Sequence, residues 1–328
     1  MRLLDYVVSC SLRINNQCLR YLAEFDLQSV TTDGDSRLGA ELATLNADNL
    51  LARDSRRLVS LWWLTRPCWQ GMDTAVGQHL QALEQATQVI NGVGNARQLA
   101  LRLASRASQD ADAEAIMKVA RCLPADVPLT WDALNEQFTQ DSGHWRSSAH
   151  FRGVDDGVLE RRMLRSYKKA YRRAREMPEQ DLAMWLDAQA ARWHHWLQLA
   201  VYQLEVLRPG LSESGKAQLW YMDKLADTLR TRAGLVELMR QTETVEVKKS
   251  VTKQVTGHVA AQIKKMDKRV VRLAAGAFAV KPKRLRRAIA EAVCLLDLGA
   301  VRVIHAEAPA RSSDSTDSGV HSAADRHA

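Results

Sequence analysis

The chain is predicted to be all-α. Three observations carry that prediction. Apolar residues recur with helical period through nearly every segment. Gly and Pro number only 16 and 7 in 328 residues, and they cluster between the periodic segments as punctuation. Strand patterns are almost absent: only Thr242–Val247 and Val301–Ile304 are faintly β-like.

The elements follow in order. The first helix is expected over Leu3–Phe25, with Leu4, Val7, Val8, Leu12, Ile14, Cys18, Leu22 and Phe25 as its apolar positions. A polar loop, Thr31–Arg37, precedes a second helix over Leu38–Leu64 that stops at Arg66-Pro67. A third runs over Thr74–Ile90 and breaks at Asn91–Asn95, where glycines suit a helix end. A fourth starts near Ala96, and a fifth covers Ala111–Cys122. Residues 123–157 form a connector between two halves, 1–122 and 158–305, with one short helical piece near Trp131–Phe138. A strongly basic helix follows, ended by Pro178, and then a long helix over Glu179–Leu207, stopped by Pro209-Gly210. Glu213–Leu238 gives one helix or a pair, residues 250–275 a basic helix, and the segment from Pro282 the last one. The Ser/Asp/Ala/His composition of 306–328 predicts a disordered tail.

Charge is unevenly placed. The chain carries a net +8. Residues 1–60 hold seven cations and eight acids, whereas residues 248–287 hold thirteen cations and one acid, Asp267. A basic second half favours a polyanionic partner: nucleic acid, an anionic membrane or a phosphate polymer. No uninterrupted apolar run approaches the roughly 18 residues of a membrane span, so none is expected. Five scattered cysteines without a CxxC pair fit reduced, mostly buried thiols in a cytoplasmic protein. The opening MRLLDYVVSC is a poor signal peptide, because Asp5 interrupts its apolar run.

The densest feature is Leu159–Glu176, LERRMLRSYKKAYRRARE, with eight cations against Glu160 and Glu176. At about 3.6 residues per turn, Arg161, Arg165, Lys168 and Arg172 line one face. Met163, Leu164, Tyr167, Ala170, Tyr171 and Ala174 leave an apolar stripe for packing. Like charges stacked this closely repel one another, so either solvent screens them or a polyanion neutralises them.

Five stretches together resemble the CHAD family, the conserved histidine α-helical domain. Asn49–Pro67, NLLARDSRRLVSLWWLTRP, is similar to the family's His-x-x-Arg-Val-x-x-Arg-Arg-Leu-Arg helix at Arg56, Arg57 and Leu58, with Asn49 where the family has His and Ala52 where it has Arg. Gly92–Leu103 resembles its Leu-Gly-x-x-Arg-Asp-Leu turn at Gly94, Arg97 and Leu99. Leu164–Arg175 is similar to its Leu-Arg-x-Tyr-Arg-Arg-x-x-Arg helix. Ala191–Leu207 keeps Trp193 and the Tyr202-Gln203-Leu204-Glu205 run of a further family helix; Ala191 replaces the name-giving His and His194-His195 replace Arg-Lys. Phe278–Ile289 is close to the family's Phe-Ala-x-Lys-Pro ending with its Arg pair. The resemblance implies two pseudo-symmetric antiparallel four-helix bundles around a basic groove. It implies binding of inorganic polyphosphate without catalysis, and a location on polyphosphate granules.

The polyphosphate-binding residues it implies are Arg56, Arg57, Arg97, Arg161, Arg165, Lys168, Lys169, Arg172, Arg173, His194, His195, Lys281, Lys283, Arg286 and Arg287. The residues themselves suit that chemistry. Rows of Arg and Lys at helical spacing pair repeatedly with a linear phosphate chain, Arg in bidentate fashion and Lys as point charges. The basic stretches Arg161–Arg175, Lys264–Arg272 and Lys281–Arg287 would do so if they met at one groove. Nucleic acid is the alternative partner for the same cations, and a helical scaffold without polyanion binding is a third possibility. His194 and His195 point about 100° apart on a helix, a poor pair for one metal ion. Either one faces the groove, or one is a half-buried core histidine beside Trp193 and Trp196. The tryptophans Trp62, Trp63, Trp185, Trp193 and Trp196, with Tyr202, are expected in the bundle core. His144 and His150 are expected at the surface of the connector. GVGNAR lacks the preceding strand and third glycine of a dinucleotide loop. Glu243 and Glu246, before Lys248 and Lys249, lack the alternation a strand-lined tunnel needs. No catalytic residue, cofactor or metal site is assigned, and no enzyme activity is expected.

Overall fold

The computed structural model describes residues 2–31, 37–69, 73–92, 95–123, 131–146 and 155–297. The tail at 306–328, Val301–Ile304, Gly94, His150 and the side chain of Asn49 lie outside the described residues. The described residues form eleven α-helices and no strand: α1 (Leu3–Thr31), α2 (Arg37–Thr65), α3 (Asp73–Gly92), α4 (Asn95–Ala104), α5 (Asp110–Cys122), α6 (Trp131–Arg146), α7 (Gly157–Arg175), α8 (Leu182–Glu205), α9 (Glu213–Thr242), α10 (Lys249–Ala277) and α11 (Pro282–Asp297). Thr242 closes α9 and the residues after it turn into α10, so the faint β pattern there finds no partner segment.

Neighbour relations follow from the apolar stripes. α1 packs on α2 and α6, and α3 closes the ring by touching both α2 and α6. α7, α8, α9 and α10 pack in sequence, each on the next. α2 reaches across to α8 and α7, and α11 lies on α7 and on the 3-10 turn Arg208–Gly210. One hydrophobic cluster runs from Leu3 through Trp62, Tyr167 and Trp193 to Leu296. A smaller one joins Ala100 and Ile116 of the α4–α5 hairpin to Leu238 of α9 and Val259 of α10. The apolar core is therefore continuous across the segment expected to be a connector.

Two helices differ in extent from their sequence expectation. α6 continues from Phe138 to Arg146 through residues of weak helix propensity. Tertiary bonds hold it: buried Asn15 of α1 donates to the Phe138 carbonyl at 2.7 Å. Asp141, fully buried, accepts from Trp62 Nε1 at 2.5 Å, Trp145 Nε1 at 3.0 Å and His79 Nε2 at 2.8 Å. His144, expected at the surface, is half-buried with its ring 4.5 Å from that of His79. α9 is one helix, not a pair. It runs through Gly234 because α4 approaches there: a Cβ would stand 3.2 Å from the Leu99 side chain.

Polar anchors set the helices that form the site. Asp156, beside the start of α7, accepts from the Leu3 and Leu4 amides at 2.7 and 3.1 Å, capping α1 from across the chain. Arg232 of α9, only 2% exposed, pairs with Asp187 of α8 at 2.8 Å and Asp267 of α10 at 2.6 Å. Trp193 of α8 donates to the Ala170 carbonyl of α7 at 3.1 Å. Cys10, Cys18 and Cys68 are buried free thiols, while Cys122 and Cys294 are free and exposed.

Candidate anion-binding cleft

α2 ends at Thr65 and turns through Arg66-Pro67-Cys68. α7 and α8 pass beside that end, and the three leave a cavity of about 300 Å³. Trp63 and Arg66 come from α2 and its turn, Arg162 and Arg165 from α7, and Trp196 and Gln203 from α8. The α7 residues are one helical step apart, and Lys169 extends the same face. The Arg162 guanidinium donates to the Trp63 carbonyl at 2.6 Å, where the negative end of the α2 dipole favours a cation. Arg66 lies 5.8 Å over the Trp63 ring, and Lys169 Nζ lies 3.8 Å from the Trp196 centroid.

Among the described residues, no carboxylate pairs with Arg66, Arg162, Arg165 or Lys169. Burial, then the Arg165 and Arg66 charges, lowers the Arg162 pKa below its ordinary value. Burial, then Arg165 and Arg172, does the same to Lys169. The cations thus repel one another around a concave space, and an anion placed there would relieve that repulsion. Glu84 accepts the Trp63 indole N–H at 2.6 Å.

The structure sorts the sequence-predicted residues into separate places. Arg165 lines the cavity, Lys169 covers one of its tryptophans, and exposed His195 sits with its ring 5.0 Å from Trp196 and 6.3 Å from Trp63. Arg161, Lys168 and Arg172 are exposed on α7, Arg161 standing 3.7 Å from Asp155. Arg173 pairs with Glu176 at 2.8 Å. Arg57 lines a separate cavity of about 390 Å³, but carboxylates on the same wall already hold it: Glu205 in bidentate fashion at 3.0 and 2.5 Å, and Asp54 by a third contact at 2.7 Å. Those two carboxylates raise its pKa against the opposing effect of burial. Arg56 is buried, with Nε 3.5 Å from the Tyr202 hydroxyl, and forms a second cationic pair with Arg230 beside His194. Arg97 is half-buried on α4. Lys281, Lys283, Arg286 and Arg287 are exposed at α11, Arg286 near Glu160. Of the three basic stretches, only α7 lines this cavity.

The two histidines divide as their angular separation requires. Burial, and then the Arg230, Arg56 and His195 charges, push His194 down to about 3, so it stays neutral near pH 7 and adds no charge to the cationic groups around it. His195, exposed but with its ring against Trp63 and Trp196, is lowered by partial desolvation, with Glu84 opposing and Lys169 assisting. Trp62 and Trp193 are core residues, whereas Trp63 and Trp196 are half-buried cavity walls.

Arg66, Arg162, Trp63 and Gln203 were not among the sequence-predicted site residues. The available signal was the 162, 165, 169 spacing, which defines a face adjacent to the 161, 165, 168, 172 face. No family model, curated protein or solved structure matches this chain. Among the described residues no cluster of His, Cys, Asp or Glu could hold a metal ion, and no helix is long and apolar enough to cross a membrane.

Proposed function

We propose that this chain is a non-enzymatic binder of inorganic polyphosphate. The cleft between α2, α7 and α8 takes part of the polymer, and the exposed face of α7 takes the rest. The observation that carries the proposal is the group Arg66, Arg162 and Arg165, three guanidiniums around one cavity without a carboxylate partner among the described residues. What sets the three apart from the exposed arginines elsewhere on the helices is that they surround one concave space. They repel one another across it, and an anion bound there would offset that repulsion. Arg161, Arg165, Lys168 and Arg172 continue the positive surface outward along α7, at a spacing a linear phosphate chain can follow. The CHAD resemblance supports the same partner, and with it two similar bundles around a basic groove and residence on cytoplasmic polyphosphate granules.

Titration with long-chain polyphosphate at moderate salt tests this. Saturable binding is expected, weakening steeply as salt rises because counterions are released. An Arg165→Glu/Lys169→Glu variant should bind at least about tenfold more weakly. A wild-type chain that shows no saturation, or a variant that binds equally well, would sink the proposal. Nucleic acid is the competing partner, favoured by the two indoles in the cavity wall; Lys169 already covers one of them. Polyphosphate should displace single-stranded RNA at lower phosphate concentration than the reverse.

A further inference from the structure

The basic stretch Lys264–Arg272 takes no part in the cleft. Lys265, Arg269, Arg272 and Gly276 of α10 follow one another at steps of four, three and four residues, so they form one stripe about 16 Å long. Its three cations are exposed, and none of them has an ion-pair partner among the described residues. The one acid of α10, Asp267, is buried and held by Arg232 at 2.6 Å.

Gly276 joins this stripe to α9. The Tyr221 ring rests on it so closely that a Cβ would stand 2.7 Å from the ring atoms, and glycine alone leaves that room. Trp220 meets the Tyr221 ring edge-on, with centroids 5.0 Å apart, and is 53% exposed. The α9 acids nearest in sequence are engaged elsewhere: Asp223 interacts with Arg53 of α2, and Asp227 pairs with Arg230 at 2.9 Å.

Single exposed apolar residues are ordinary. Here two touching rings stand at the end of a cation stripe, and the two chemistries suit one kind of partner. The stripe suits a phosphate backbone, and an open indole suits the face of an unpaired base. Polyphosphate has nothing to stack. An anionic membrane would need an apolar face along the helix. Val271, the large exposed apolar residue of α10, instead lies about 140° around the helix from Gly276, with Lys268 between them.

We propose that the α9–α10 face binds single-stranded nucleic acid, its phosphates along Lys265, Arg269 and Arg272 and a base stacked on Trp220. This surface is separate from the polyphosphate proposal, because neither α9 nor α10 lines the cleft.

The test uses the full chain and two fluorescein-labelled strands with the same number of phosphates, oligothymidylate and an abasic strand, followed by anisotropy. The wild-type chain is expected to bind oligothymidylate about tenfold more tightly, since stacking one base supplies that much. Trp220→Ala, at an exposed position, should bring oligothymidylate down to the abasic level and leave the abasic strand unchanged. The Arg165→Glu/Lys169→Glu variant should keep the preference, and adding Lys265→Glu/Arg272→Glu to it should weaken both strands by at least about tenfold. Equal affinity of the two strands for the wild-type chain overturns the inference, as does failure of both to bind. A preference that survives Trp220→Ala, or that is lost in Arg165→Glu/Lys169→Glu, assigns stacking to the cleft indoles and overturns it too. Trp220-dependent sedimentation with phosphatidylserine vesicles, without a preference between the strands, gives the face to a membrane and overturns it as well. Polyphosphate binding without strand preference removes this proposal and leaves the polymer proposal standing. Strand preference without polyphosphate binding does the opposite.

Discussion

Asp141→Ala strips three buried donors of one shared acceptor. Trp62 Nε1, Trp145 Nε1 and His79 Nε2 all point at this carboxylate, from α2, α6 and α3. Gln137 donates to His79 Nδ1 at 3.2 Å, which assigns the imidazole proton to Nε2 and makes His79 a donor toward Asp141. Each orphaned buried donor costs about 1–3 kcal/mol. Water entering the space of the lost carboxylate restores part of the sum, and a net loss of about 4 kcal/mol is expected. Asp141→Asn keeps one acceptor oxygen and should lose about 2 kcal/mol. Urea unfolding followed by tryptophan fluorescence reads this directly, since Trp62 lies 4.7 Å from both the Trp69 and Trp145 ring centroids. With an m-value of about 3 kcal/mol per molar, the alanine variant's midpoint falls by more than about 1 M. A midpoint unchanged in Asp141→Ala, or lowered further in Asp141→Asn, would refute the shared-acceptor account.

Arg57→Ala should destabilise the fold by about 2 kcal/mol, because Asp54 and Glu205 lose their partner, yet leave polyphosphate affinity unchanged in a salt titration. A loss of binding comparable to that of Arg165→Glu/Lys169→Glu would show that Arg57 is available to ligand after all. His194 makes stability acid-sensitive. Its folded pKa of about 3 lies below the ordinary histidine value near 6.5, so the unfolded chain takes up the proton first. The contribution is complete above about pH 6.5 and is lost as pH falls toward 3, by at most about 1.4 kcal/mol per pH unit. Comparing unfolding midpoints of the wild type and His194→Gln at pH 7, 6 and 5 checks this, and parallel pH dependences would contradict it.

Much of the helical framework was legible because amphipathic period is a local property. The α7 stripe of Met163, Leu164, Tyr167 and Ala170 is buried, and Arg161, Arg165, Lys168 and Arg172 are exposed, as the spacing predicts. The end of α6 was not legible, because what holds Thr139–Trp145 comes from distant helices: Asn15 of α1 at the Phe138 carbonyl, and the donors of α2 and α3 at Asp141. Gly234 was not legible either: its place inside α9 depends on how closely α4 passes. The cleft was half-legible. Its cations stand out in the sequence, but Arg161 and Arg162 are adjacent and chemically identical there. Only the position of the α2 terminus puts Arg162 on the cavity and leaves Arg161 exposed near Asp155.

The sequence by itself determined most of the helical framework, the apolar stripe of α7 and the concentration of cations on that helix, since all three follow from neighbours within one or two helical turns. The tertiary structure decided which cations already meet a carboxylate and which gather around the cavity between α2, α7 and α8. Arg57 meets Glu205 from 148 positions away and is committed to it. Arg162 meets the carbonyl end of α2 from 99 positions away and has no carboxylate partner among the described residues. Local period fixes the direction in which a side chain leaves its helix, but the charge it meets there belongs to a helix packed against it.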